Sequence, residues 1–402
     1  MAGRADAPTA TALDPEPLSK HDFTPAEFAA RRAAVRQALA VQGLDWLVCC
    51  HPVSIHWLTG SDAKSYQEFQ CLFMPAGDGP LVVLTRQGEV AEFLDDALVD
   101  EVVGWGGGLA EDPIPHFARL ADRLGLLHGR VGLEVPAYYL HPYQYLAVRE
   151  VLGPALAAEP GDLVHGLKLV KSKAELRYIR EAARLADLGM ASFVRALAPG
   201  RSELALAGEV MQALMAAGSG IAASPINLVS GERSGFSHGA PTTRVLQAGD
   251  FGSIEFGATC RRYTATIGRQ FAIGRPTARM LQLYDVVRRA QDACIAAIRA
   301  GVPATVPHEA AVRVIADAGL DAHRVHTTGY GLAPGFPPSW GEPLHMLNDS
   351  PYTLEAGMVL TVEPPVFIAE EGLGARLIDN VLVTEEGAER LTRFSRALIV
   401  RG

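Results

Sequence analysis

The chain has 402 residues, 49% hydrophobic and 20% charged, with 40 Gly and 26 Pro; at roughly 100–200 residues per domain this is a folded protein of two or three domains, not a disordered, collagenous or coiled-coil chain. Lys and Arg total 36 against 45 Asp and Glu, a net charge of −9, which favours solubility and offers no general attraction to nucleic-acid phosphates or anionic lipid. With no apolar run of about 18 residues and no apolar leader in MAGRADAPTATALDPEP, the expected location is the cytoplasm and the expected partner is a small molecule, not nucleic acid or membrane.

Residues 1–20 are polar and rich in Pro and Ala, the pattern of a flexible tail. Thr24-Pro25-Ala26-Glu27 has capping-box spacing with Pro at the first helical position and predicts a helix over 25–42. Short apolar runs then alternate with helical patterns. Strands are expected over 46–50, 55–58, 70–74, 81–85 and 131–135, and helices over 87–98, 113–125 and 142–153. That alternation describes an amino-terminal α/β domain over 21–168. A second capping box, Ser172-Lys173-Ala174-Glu175, opens a long helix to Leu197, closed by Pro199-Gly200, and starts a second domain over 169–402. Its helices (203–217, 277–300, 308–318) are mixed with strand-like runs over 225–230, 250–257, 263–272, 357–367, 375–384 and 391–400, an α+β pattern.

The five cysteines (Cys49, Cys50, Cys71, Cys260, Cys294) form no CxxC pair, so neither a disulfide framework nor a thiolate zinc site is indicated. The histidines give no HxH or HExxH spacing, and His51, His56, His308, His323, His326 and His345 are read as surface or packing residues. Four stretches of the second half combine reactive side chains with Gly or Pro: 234–239 with His238; 255–264 with Glu255 and Arg262; 329–342 with Tyr330 and Trp340; and Val362-Glu363-Pro364-Pro365. A glutamate inside the apolar run 251–256 must find a partner or be desolvated, which makes Glu255 a site candidate.

In this order and at these intervals the four stretches resemble the creatinase and methionine aminopeptidase superfamily. The resemblance spans nearly the whole chain and implies an α/β amino-terminal domain followed by an α+β pita-bread catalytic domain. The metallopeptidases of the superfamily bind two ions through two Asp, one His and two Glu. Here those places read Glu255, Thr266, Tyr330, Glu363 and Ile378, which removes most of the donor field two divalent ions need; the expectation is therefore no metal and no cofactor. The metal-free members include creatinase and ectoine hydrolase, and the runs 255–263, 329–342 and 58–62 look most like ectoine hydrolase. Gly268 before Arg269 departs from creatinase; Glu363, Gln270 and Arg376 depart from ectoine hydrolase.

The resemblance thus implies metal-independent hydrolysis of a C–N bond in a cyclic amidine such as ectoine or hydroxyectoine. Glu255 would be the nucleophile or would stabilise the cation electrostatically, Glu363 would activate or orient water, and His238 would carry the proton. Tyr330 and Trp340 would contact the substrate, and Arg262, Arg261 or Arg376 would fix a carboxylate. The alternatives are a creatinase-like amidinohydrolase acting on another guanidino or N-substituted amino acid, and a non-catalytic relative that only binds ligand. The resemblance also implies a homodimer in which Trp57 or residues 61–69 reach a neighbouring site.

Overall fold

The computed structural model describes residues 23–62, 66–108, 110–135 and 138–402. The expected tail over 1–20 lies outside the described residues, as do positions 63–65 of the 61–69 segment. The first helix, Pro25–Val41, starts as its box demands: the Thr24 hydroxyl accepts the Glu27 backbone N–H, and Phe28, Val35 and Leu39 form the buried stripe. Behind it lies a six-stranded mixed sheet in the order Glu101–Trp105, Val82–Arg86, Cys71–Pro75, Trp46–Cys49, Val131–Leu133, Leu156–Ala158.

Two readings of this half are corrected. The run 55–58, expected as a strand, belongs to the helix Pro52–Thr59, which the His51 Nδ1 caps at Val53 and Gly60 ends at φ +85°. A four-residue run such as Ile55-His56-Trp57-Leu58 cannot distinguish a buried strand from a buried helix, and here the flanking Pro52 and Gly60 decide. The strand Glu101–Trp105, only partly buried, was not anticipated.

The Lys173–Ala196 helix leads into a nine-stranded sheet whose centre is the hairpin Phe251–Cys260 and Tyr263–Ile273. Every residue of that hairpin except Cys260 is buried. The helices Lys173–Ala196 and Glu203–Ala216 pack on it through Phe193, Leu206, Val210, Phe256 and Phe271. A second helix pair, Ala278–Ala297 and Thr305–Asp317, covers the strands Val359–Val362 and Asp379–Val383 through Val287, Ile315, Leu360 and Val381. Each such fully buried aliphatic or aromatic side chain contributes about 1.5–3 kcal/mol relative to exposure. This is the expected α+β pita-bread architecture.

Here too the boundaries differ from expectation. The run 357–367 divides at Glu363-Pro364-Pro365 into Val359–Val362 and Val366–Ile368, because Pro cannot donate to a ladder. Most of 391–400 is irregular, with only Ile399–Arg401 pairing, parallel to Tyr263–Ile273. The 329–342 run, read only as a motif, is a hairpin of Tyr330–Phe336 and Ser339–His345 joined at Pro337-Pro338. Its alternation is hidden by glycines and prolines that leave one face nearly bare.

Candidate active site

Glu255 stands in the middle of its strand, 6% exposed, opposite Asn227 on the neighbouring strand. The Arg376 Nη1 donates to Glu255 Oε2 in a very short contact, and Asn227 Nδ2 donates to the same oxygen at 3.1 Å. Arg376 is itself buried, lies 5.2 Å from the centre of the Phe367 ring, and is held by a backbone N–H to Gln270 Oε1 at 3.0 Å. The carboxylate and its counter-charge form one fixed unit.

Glu363 is positioned differently. It follows the strand Val359–Val362, and its backbone N–H donates to the Thr328 carbonyl at 2.8 Å, which ties it to the segment leading into Tyr330. Its side chain is 3% exposed, and Oε1 has no hydrogen-bond partner among the described residues. Burial, reinforced by the nearby Glu255 charge and opposed by Arg376, pushes its pKa well above the usual carboxylate range. Its surroundings therefore favour the protonated carboxyl.

His238 lies at the edge of the cluster, with its ring 5.2 Å from that of His326. His326 Nδ1 donates to the Thr327 carbonyl at 3.1 Å and lies 3.8 Å from Glu363 Oε1, which leaves Nε2 as the acceptor. Loss of water contact and the Arg376 charge lower the pKa of both rings, so both are neutral bases. Sequence reasoning placed His326 among the packing histidines. The signal that would have found it is its position four residues ahead of Tyr330, in the segment that pairs with Glu363.

Tyr330 accepts the Trp340 indole N–H at 3.0 Å, and burial, together with the adjoining Glu255 charge, raises the pKa of its hydroxyl. Trp340 is 5% exposed and packs so closely on Gly257 that a Cβ there would lie 2.9 Å from the indole. It props up Tyr330 from the core instead of offering a face to substrate. Arg262 is not part of the cluster. It occupies the two-residue turn between Phe251–Cys260 and Tyr263–Ile273 at φ +67°, donates to Asp62 and lies over the Phe336 ring at 4.4 Å. Arg261, beside it, has φ +51°.

The five family metal positions do not fit two ions. Glu255 is engaged by Arg376 and Asn227; Thr266 Oγ1 accepts the Asn380 amide at 2.9 Å; Tyr330 offers a protonated phenol; Ile378 packs over Gly268. Among the described residues no three His, Cys, Asp or Glu side chains converge as a metal-binding group.

The model of metallopeptidase family M24 matches residues 177–385, and that of the creatinase/prolidase N-terminal domain matches 31–167. The probable dipeptidase PepE of Mycobacterium tuberculosis is 31% identical over 391 residues, 95% of this chain and 99% of the relative. The solved structure of PepE from Mycobacterium ulcerans has a TM-score of 0.82 at 30% identity and covers 94% of this chain and 99% of its own. An Xaa-Pro dipeptidase from Bacillus anthracis has a TM-score of 0.81 at 25% identity and covers 93% and 99%. These dipeptidase relatives overturn the expected opening of a cyclic amidine such as ectoine, while the hydrolase class stands. The chain belongs to metallopeptidase family M24 and carries a creatinase/prolidase-type amino-terminal domain.

Proposed function

We propose that this protein hydrolyses the C–N bond of a short peptide, a dipeptide first, with its own carboxyl and imidazole groups providing acid–base catalysis. The observation that carries the reading is the pairing of unlike carboxyls: Glu255 paired with Arg376, and beside it Glu363, buried, pushed toward its protonated form and without a cationic partner at hydrogen-bond distance. A carboxyl driven toward its neutral form beside one held by a cation is the usual arrangement of an acid with a charged partner. The full-length similarity to proteins named dipeptidases supplies the substrate class.

In this reading Glu255 Oε1, to which neither Arg376 nor Asn227 donates, accepts a hydrogen bond from the ammonium end of the substrate. A water attacks the peptide carbonyl carbon and passes its proton to neutral His238. The carbonyl oxygen gathers charge and accepts the Tyr330 O–H, whose oxygen is already oriented by the Trp340 indole. As the C–N bond breaks, the leaving nitrogen takes the proton of Glu363, and His326 relays the proton from His238 back to that carboxyl. A free carboxyl and a free amine result.

The test is mass spectrometry of free amino acids released from a dipeptide panel, Xaa-Pro members included, by wild type and Glu363→Gln. It is run in parallel with chelator and with added Mn2+; turnover that survives the chelator is expected, and turnover that appears only with Mn2+ overturns the reading. Release by wild type that fails in Glu363→Gln is expected; a correctly folded wild type that cleaves no member of the panel overturns the proposal.

A further inference from the structure

Beside the reaction cluster, between the two halves of the chain, lies a cavity of about 580 Å³. One wall is a strand face. Along Ser339–His345 the alternate residues Ser339, Gly341, Pro343 and His345 line the cavity, with Glu342 between them, while Trp340 and Leu344 are buried behind. Three of the four are small, so the face is nearly flat, and the Tyr330 ring extends it 5.7 Å from His345.

The opposite wall comes from the amino-terminal half. The rings of His51 and His165 stand 5.0 Å apart at 88°, and Tyr138 lies edge-on to His51 at 6.1 Å. A bare strand facing a row of rings leaves a slot, and its volume is within the range of about 300–1,000 Å³ typical of small-molecule sites.

The two imidazoles of the amino-terminal wall present the same donor. His51 Nδ1 accepts the Val53 N–H at 3.2 Å and His165 Nδ1 accepts from Lys168 Nζ at 3.0 Å, so each imidazole carries its hydrogen on Nε2. Among the described residues neither Nε2 meets a partner. Burial and the Lys168 charge keep both rings neutral, with pKa values lowered to about 3 for His51 and about 2 for His165. The charges behind them compensate one another: Lys171 Nζ donates to Glu342 at 2.7 Å with both side chains 1% exposed, and Glu342 and Glu134 offset Lys168. Asp162 is at the exposed rim. An anionic ligand would give up its water here without gaining a free counter-charge, and a cationic one would meet, among the described residues, only Asp162, screened by water at the rim, and Glu342, already paired with Lys171.

We propose that this slot binds a flat, uncharged molecule of the aryl-amide or heteroaromatic class, its ring lying between the Gly341 face and the imidazoles and its carbonyl oxygen accepting an Nε2–H. This binding does not depend on which bond the neighbouring cluster cleaves. The full chain is titrated calorimetrically with benzamide, with cyclohexanecarboxamide (same acceptor, no flat ring), and with benzoate and benzylamine (flat, charged). Benzamide should bind most tightly.

Gly341→Leu places its side chain in the slot, since a Cβ at 341 meets only ordinary 3.4 Å contacts with Ser339 and the Tyr330 ring; benzamide affinity should fall by about tenfold or more. Tyr138→Ala, at a residue 71% exposed, removes the opposing ring without threatening the fold and should weaken binding as well. The proposal is overturned if benzamide does not bind, if any of the other three probes binds as tightly, or if Tyr138→Ala and a folded Gly341→Leu leave its affinity unchanged.

Discussion

Glu175 and Glu363 are both nearly inaccessible, at 2% and 3% exposure, yet their surroundings have opposite purposes. Glu175 Oε1 accepts the Trp57 indole N–H at 3.0 Å and the Tyr263 hydroxyl at 2.8 Å, Oε2 accepts the Ser172 backbone N–H at 2.8 Å, and Arg31 lies 3.5 Å away. Glu363 Oε1 has no hydrogen-bond donor among the described residues, and its nearest basic group is a neutral imidazole. A buried carboxylate with both oxygens hydrogen-bonded holds a fold together; one left wanting is poised to exchange a proton.

The largest effect is expected at the satisfied residue. Glu175→Ala leaves Trp57, Tyr263 and Arg31 without their common acceptor and should cost about 3–5 kcal/mol of unfolding free energy in a urea titration. A loss below about 1 kcal/mol would erase the distinction. Glu363→Gln should do the reverse, lowering dipeptide turnover by about 10²–10⁴ while unfolding free energy changes by less than about 1 kcal/mol.

The pH dependence sharpens the contrast. Because the Glu363 pKa is raised in the folded chain, the folded state binds more protons than the unfolded state between the ordinary carboxylate pKa and the raised one, and stability falls as pH rises through that window. Melting temperatures taken from about pH 5 to 9 should decline more steeply in wild type than in Glu363→Gln. The smallest effect belongs to Tyr330→Phe, which removes the acceptor of the Trp340 indole and should cost about 1 kcal/mol in the same urea titration.

Much of this was legible in the sequence where the cause is local. Ser172 through Glu175 announces its helix because the cap and its glutamate are three residues apart, and the structure closes both bonds. The other partners of Glu175 were not legible: Trp57 is 118 residues away and Tyr263 is 88. Glu255 stood out because an acid in an apolar strand must be explained, whereas Arg376, its partner across 121 positions, was one of several candidate arginines. His326 was passed over because no spacing rule connects it to Glu363; the backbone bond from Glu363 to Thr328 does. The dipeptidase kinship lies in similarity along the entire chain, which four short motifs sampled too sparsely.

One carboxylate also determines how the molecule comes apart. Glu175 caps the Lys173–Ala196 helix, holds the Trp57 indole from the first half and holds the Tyr263 hydroxyl from the second. The start of that helix therefore cannot fray by itself, since releasing it also releases the grip between the halves. Amide hydrogens in its first turns should exchange only through global opening, and calorimetry should record a single cooperative transition for the whole chain.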